Sequence, residues 1–280
     1  MDNTNDENRI IDLSHTIQEG MPVYPGDEIF RHQIVADHDV DGYRVSAFTL
    51  GSHLGTHIDF PYHAFVDGET CLDIPLDYFF GPAAVIDLTP FDDGTIPFVI
   101  DLDLLQPFRD IFCRVPRILL RTGWSKYFGT RDFYCGFPAL TTEAASWLTG
   151  FPLMILGLES PSLSSLSPDN MPEDSVQQLD VETLHADRMC HRILLGKKPP
   201  ILPLECLNGL ERLPAFTLPS DSTDNTDRLR IAPFTKTVDW DESKLFLLSC
   251  PPLAIQQADG SPVRPIAILN AASWCEKSPD

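Results

Sequence analysis

Ser52-His-Leu-Gly-Thr-His-Ile-Asp-Phe-Pro-Tyr-His63 gathers three of the chain's eight histidines and one aspartate into a single short run. Clustered imidazoles beside a carboxylate are the donor set that zinc, manganese and similar divalent ions prefer. His53, His57 and Asp59 share odd parity, and alternate residues of an extended backbone point the same way, so all three are directed to one side. On a regular strand rising about 3.3 Å per residue, the Cα atoms of His57 and Asp59 lie about 7 Å apart and those of His53 and His57 about 13 Å apart. The near pair can chelate one ion directly. His53 joins it only if the chain bends near Gly51 or Gly55, or if a second ion bridged by Asp59 lies beside the first. Glycine at 55 makes such a bend easy. A helix with His53 and His57 at i and i+4 is disfavoured by Gly55, Thr56 and Pro61. His63 lies past Pro61, which breaks strand register and frees its ring to sit near the ions without ligating them. It is the candidate proton-transfer residue.

Working outward, Tyr43 to Leu50 alternates β-branched or aromatic residues with smaller ones, and 51–59 continues without helical periodicity, so the histidine run sits on a strand or at its end. Short apolar runs bounded by Pro or Gly predict further strands at Ala83 to Leu88, Arg117 to Arg121 and Leu153 to Leu158, and Ile10 to Leu13 is also short and apolar. Thr141 to Leu148 opens as a helix with Thr as cap. A second helix is expected over Val181 to Leu195, capped by Asp180 and carrying His191 on one face with Leu184 and Arg188. Met21-Pro-Val-Tyr-Pro-Gly-Asp27 is a turn-rich segment that serves as scaffold or site wall. Pro214 to Asp227, rich in Pro, Ser, Thr and Asp, reads as a loop or partly mobile insertion in what is otherwise one domain over residues 1–280. Strands outnumber helices.

Composition narrows the function. Acidic residues outnumber basic ones by 41 to 20, a formal charge of −21 with no basic run, which argues against nucleic-acid or anionic-membrane binding. The 43% hydrophobic content is ample for a continuous core. No apolar stretch approaches the roughly 18 residues of a membrane span, and the polar, acidic start lacks the look of an export signal. Seven scattered cysteines, never spaced as CxxC, read as free thiols in a reducing cytosol. His15, His32, His38 and His185 read as ordinary core or surface histidines. No dinucleotide fingerprint or phosphate loop is present.

The run His53-Leu-Gly-Thr-His-Ile-Asp-Phe-Pro-Tyr-His63 fills every fixed position of HxGTHxDxPxH, and the chain resembles the cyclase family that carries this signature, the group that includes kynurenine formamidases and isatin hydrolases. Asp12-Leu-Ser-His-Thr, Met21-Pro-Val-Tyr-Pro-Gly-Asp27, Arg121-Thr-Gly-Trp-Ser125 and Asp259-Gly-Ser-Pro-Val-Arg264 extend the resemblance in the same order. It implies a compact α/β domain of mixed β-sheet with peripheral helices, of the swivelling β/β/α kind, usually assembled as a homodimer. It also implies a one- or two-ion site in which zinc or manganese activates water. His53, His57 and Asp59 would be ligands and His63 the acid/base. A later His and Glu would complete the set: His191 and Glu205, the latter as ligand and catalytic carboxylate. The stretch between them, His191-Arg-Ile-Leu-Leu-Gly-Lys-Lys-Pro-Pro-Ile-Leu-Pro-Leu-Glu205, is two positions longer than the family pattern and proline-rich, which bears on where the Glu205 carboxylate falls. Glu159 stands where relatives often carry Asp, either supporting the site or capping a strand. Tyr24, Phe60 and Trp124 are candidates for an aromatic wall against a flat substrate, with core packing the simpler reading of each taken singly.

Two activities suit these residues. One is hydrolysis of a small aryl formamide, lactam or lactone by a cytoplasmic enzyme that needs no cofactor beyond one or two divalent ions. The other is a lyase, a dehydratase or cyclase acting on a natural-product intermediate with His63 as base, to which the altered 197–200 segment and the 214–227 loop lend support. A non-catalytic binding protein is the third and weakest, given the intact motif.

Overall fold

The computed structural model describes residues 10–24, 26–91, 98–134, 136–164, 188–218 and 237–270. Fourteen strands run through them: β1 Ile10–Asp12, β2 Arg31–Ala36, β3 Val45–Thr49, β4 His57–Asp59, β5 Phe80–Asp87, β6 Val99–Ile100, β7 Arg117–Arg121, β8 Ala139–Leu140, β9 Ile155–Leu158, β10 Leu202–Glu205, β11 Ala215–Phe216, β12 Phe246–Ser249, β13 Gly260–Pro262 and β14 Ile266–Ile268. The helices are short: α1 His38–Asp41, α2 Pro61–Ala64, α3 Leu102–Leu105, α4 Arg109–Arg114, α5 Thr142–Leu148 and α6 Met189–Gly196.

One mixed sheet dominates, in the order β1-β14-β12-β5-β7-β9-β10-β4-β13, with β11 added alongside β5. Its centre, β5 through β10, is parallel, and antiparallel strands flank it on both sides. Parallel strands bury both faces, and β5 shows how the sequence arranges this. Ala84 and Ile86 enter the core under the helices with Phe108, Phe112, Ala144 and Leu194. Their alternating neighbours Ala83 and Val85 enter a second core with Ile58, Phe60, Phe79 and Leu204. This is the α/β mixed-sheet class expected.

The predicted strands are observed within a few residues of their expected limits. Helix α5 begins where its cap predicts: the Thr141 hydroxyl accepts from the Ala144 N–H at 3.1 Å. Helix α6 covers the end of the predicted 181–195 helix and places His191 in its first turn, while Asp180 and Leu184 lie outside the described residues. The Pro214 stretch differs from expectation at its start. Ala215 and Phe216 pair in parallel with Val85 and Ile86, and Phe216 is fully buried, so an apolar pair in a polar neighbourhood is recruited to the sheet. The rest of that stretch, from residue 219, lies outside the described residues. Among the described residues, no helix is long and apolar enough to cross a membrane.

Candidate metal centre

Four separate pieces of chain build the site. Strand β4 supplies His57 and Asp59 from one face, both buried, with Ile58 between them turned into the opposite core. Parity thus works as expected for this pair. His53 is not on the strand. Gly55 adopts φ +61, the left-handed region glycine tolerates, and this bend folds His53 back over β4. The His53 ring stands 5.1 Å from that of His57, centroid to centroid, and its Nδ1 lies 2.8 Å from Asp59 Oδ1. Strand β10 pairs antiparallel to β4 with Glu205 opposite His57, and α6 delivers His191 from above.

Glu205 reaches the centre past the proline-rich 197–200 segment. The Ile201 N–H returns to Leu194 O at 3.0 Å, Lys198 turns outward to Glu69 at 2.7 Å, and the half-buried Lys197 donates to Phe151 O at 2.5 Å. Glu205 Oε1 lies 3.3 Å from His191 Nε2 and Oε2 lies 3.4 Å from His57 Nε2.

Asp59 is the hub of the arrangement. Its Oδ1 faces His53 and His57, at 2.8 and 3.4 Å, and its Oδ2 faces His191 Nε2 at 3.4 Å. Three donor sets have ligand atoms within 4.8 Å of one another: His53/His57/Asp59 and Asp59/His191/Glu205, which share Asp59, and His53/His63/Asp259 at the mouth. The donor chemistry fits a divalent ion. The His57 Nδ1 is 2.8 Å from Gly55 O, and since a carbonyl only accepts, Nδ1 carries a proton and Nε2 is the atom left for an ion.

The electrostatics describe a site built around positive charge. Burial alone would lower the pKa of His53, but the charge of Asp59 and hydrogen bonds to Asp259 and Asp59 raise it to about 9. In His191 burial is likewise outweighed, by hydrogen bonds to Asp59 and Glu205, and the pKa rises to about 10. Burial favours protonation of Asp59, yet the surrounding imidazoles hold its carboxyl well below the usual range. Protons on the imidazoles thus do the neutralising that a cation does in a loaded site.

His63 follows in α2, at the mouth. Its ring is 4.2 Å from that of His53 and 5.8 Å from that of His191, centroid to centroid, and its side chain is 33% exposed. Two residues given no role in the sequence reading also belong here. Asp259 Oδ2 is 3.0 Å from His53 Nε2 and 3.6 Å from His63 Nδ1. Cys206, buried and at φ +55, follows Glu205 beside His57, and burial pushes its thiol up in pKa. Asp259 opens the Asp259-Gly-Ser-Pro-Val-Arg264 stretch and Cys206 directly follows Glu205, but nothing local announces either contact.

The aromatic candidates divide. Tyr24 and Trp124 are partly buried and pack, with Tyr127 and Phe128, against Phe133, Tyr134 and Cys206, next to the site. Phe60 does not belong with them. It is fully buried in the second core, edge-on to Phe79 at 6.4 Å, because even parity turns it away from Asp59. Glu159 lies behind this region, buried, accepting from the N–H groups of Thr122 and Gly123 and the hydroxyl of Ser125. It therefore fixes the loop that carries Trp124.

A mixed α/β sheet presenting two histidine–carboxylate donor sets around one shared aspartate defines a metal-dependent enzyme. Sequence comparison gives the family: residues 11–165, more than half of the chain, match the Cyclase family ("Putative cyclase"), and the chain belongs to it. It is 31% identical to the kynurenine formamidase of Geobacillus thermodenitrificans over 164 residues, 58% of this chain and 73% of that protein. It is 30% identical to that of Bacillus cytotoxicus over 157 residues, 56% and 70%. Among solved structures, isatin hydrolase A from Labrenzia aggregata shares the fold with a TM-score of 0.68 over 93% of each chain, at 23% identity.

Proposed function

We propose that the protein is a hydrolase of a small aryl formamide, lactam or lactone, using one or two divalent ions, zinc or manganese. The observation that carries this reading is the split contact of Asp59, one oxygen toward each donor set. His53 and His57 would hold one ion and His191 and Glu205 the other. A bound ion of this kind lowers the pKa of water and polarises a carbonyl. Glu205, with both oxygens turned into the donor sets, acts as a ligand first and a catalytic carboxylate second. His63 carries the proton: its Nδ1 faces Asp259, which leaves Nε2 for exchange with the attacking and leaving groups. Tyr24 and Trp124, with their aromatic neighbours, form the apolar side against which a flat ring rests.

The relatives' names support an aryl amide substrate, since curated proteins with about three residues in ten identical are kynurenine formamidases. Homodimer assembly belongs to the same reading. Among the described residues the β2–β3 ribbon pairs only with itself, and it exposes Ile34, Val35 and Phe48, the last at 59%, an apolar surface that a second copy would cover. Cytoplasmic residence is supported by Cys71, Cys113, Cys190, Cys206 and Cys250, all free thiols.

Turnover of N-formylkynurenine and isatin, measured before and after chelation, tests the proposal. Hydrolysis that stops on chelation and returns with zinc or manganese is expected. Hydrolysis indifferent to chelation would overturn the metal role. Dehydration of an alcohol in place of hydrolysis would establish the lyase alternative. The 197–200 segment no longer favours that alternative, because its lysines bind Glu69 and Phe151 O.

A further inference from the structure

Asp259 stands 206 residues from His53 in sequence, yet it is bonded directly to that ring. Strand β13 lies antiparallel to β4 with Gly260 opposite Asp59, and the carbonyl of Asp259 accepts from the Phe60 N–H at 2.9 Å. On the preceding side the carbonyl of Ala258 accepts from Cys71 N–H at 3.2 Å. The backbone from 258 to 260 is therefore pinned on both sides. The His53 imidazole lies flat on this pinned segment. A Cβ at position 260 would come 2.6 Å from His53 Cε1, 3.0 Å from Nδ1 and 3.1 Å from Nε2, so only glycine leaves room for the ring where it is. Beside this bare floor, the Asp259 carboxylate meets the far edge of the ring, Oδ2 to Nε2 at 3.0 Å.

We propose that Asp259 and Gly260 form the seat of His53, Asp259 accepting the Nε2 proton so that His53 offers Nδ1 to the ion it shares with Asp59. A carboxylate behind a ligating imidazole fixes its tautomer and its angle, and removing such a partner typically costs about 10- to 100-fold in metal affinity or activity. The seat is needed because His53, alone among the three motif ligands, stands off the strand on a glycine bend with no ladder hydrogen bonds to hold it. The inference deepens the function proposed above and rests on the His53/His57/Asp59 ligand set. Asp259 is a positioning residue: it acts through the imidazole.

The test measures zinc binding to the intact protein by competition with a chromophoric chelator, alongside an NMR spectrum of the histidine ring nitrogens in the zinc-loaded form. Asp259→Ala and Gly260→Ala are expected to weaken one ion's binding about 10- to 100-fold. Asp259→Asn, whose amide oxygen still accepts from Nε2–H, is expected to stay within about threefold of the parent. The His53 ring is expected to show a zinc-bound Nδ1 and a protonated Nε2, a readout that needs no variant to fold. Zinc on Nε2 of His53, or Asp259→Ala binding both ions as tightly as the parent, overturns the seat while leaving the ligand set standing. A parent protein that binds no zinc overturns the ligand set and the seat with it.

Discussion

The ring of His57 donates its Nδ1 proton to the carbonyl of Gly55, two residues back, at 2.8 Å. One glycine therefore performs two tasks: its positive φ turns His53 over β4, and its carbonyl sets the tautomer of His57. A Cβ at position 55 would meet only Met21 and Ile17 side chains at ordinary contact distances of 3.5 and 3.6 Å, so the penalty for substitution is conformational rather than steric. Gly55→Ala is expected to lower stability by about 1–2 kcal/mol through the left-handed backbone alone. It should also weaken metal binding as the turn relaxes. Denaturant unfolding of the chelated protein separates the first effect from the second.

His63→Ala should leave the metal in place and remove turnover. The ring stands 3.6 Å from Asp259 in the half-exposed His53/His63/Asp259 set at the mouth and contributes to neither of the two sets that share the buried Asp59. Loss of a positioned acid/base costs about 10²- to 10⁴-fold in kcat. Metal content by emission spectrometry, read beside kcat, checks both halves, and loss of metal would make His63 a ligand instead.

Chelated protein should lose stability as the pH is raised. His53 and His191 have pKa values raised from 6.5 to about 9 and about 10. A histidine raised in the folded state contributes stability that is fully present below its unfolded value and is lost as pH climbs through the folded one. Melting temperatures in excess chelator should therefore fall between about pH 7 and pH 10. Saturating zinc should flatten that fall, because the ion displaces the same protons, and zinc binding near neutral pH should release protons to buffer. Equal slopes with and without metal would contradict the prediction.

Glu159→Ala strands the buried N–H of Thr122 and the half-buried N–H of Gly123 and hydroxyl of Ser125. At about 1–3 kcal/mol for an unsatisfied buried group, a loss on the order of 2–4 kcal/mol is expected, with Glu159→Gln milder because it keeps one acceptor. Urea denaturation of the two variants gives the comparison. Tryptophan fluorescence should report the loosening of Trp124, whose indole N–H is bonded to Phe133 O at 3.0 Å.

Parity explains what could be read from the chain before its structure was known. His57 and Asp59 face one way because β4 is a strand, and the glycine between His53 and His57 marked the bend that brings the third ligand in. The same rule, carried one residue further, places Phe60 in the core opposite Asp59 and would have removed it from the aromatic wall. Thr141 announced its helix because a cap is a local hydrogen bond. Asp259 and Gly260 were not legible as a seat. An Asp-Gly pair resembles any turn, and its role arises only when β13 is laid beside β4. Ala215–Phe216 escaped notice for a similar reason: two apolar residues acquire strand character from β5, not from their neighbours.

Everything turns on whether His53, His57 and Asp59, with His191 and Glu205, grip a divalent ion. Metal content per chain, measured by emission spectrometry on the purified parent and on His57→Ala after both are dialysed against the same zinc buffer, tests this most directly. His57 touches both donor sets, at 3.4 Å from Asp59 and 3.4 Å from Glu205, so its truncation should empty the centre. The expected result is one or two ions per parent chain and none retained by the folded variant; full occupancy in His57→Ala would contradict the account.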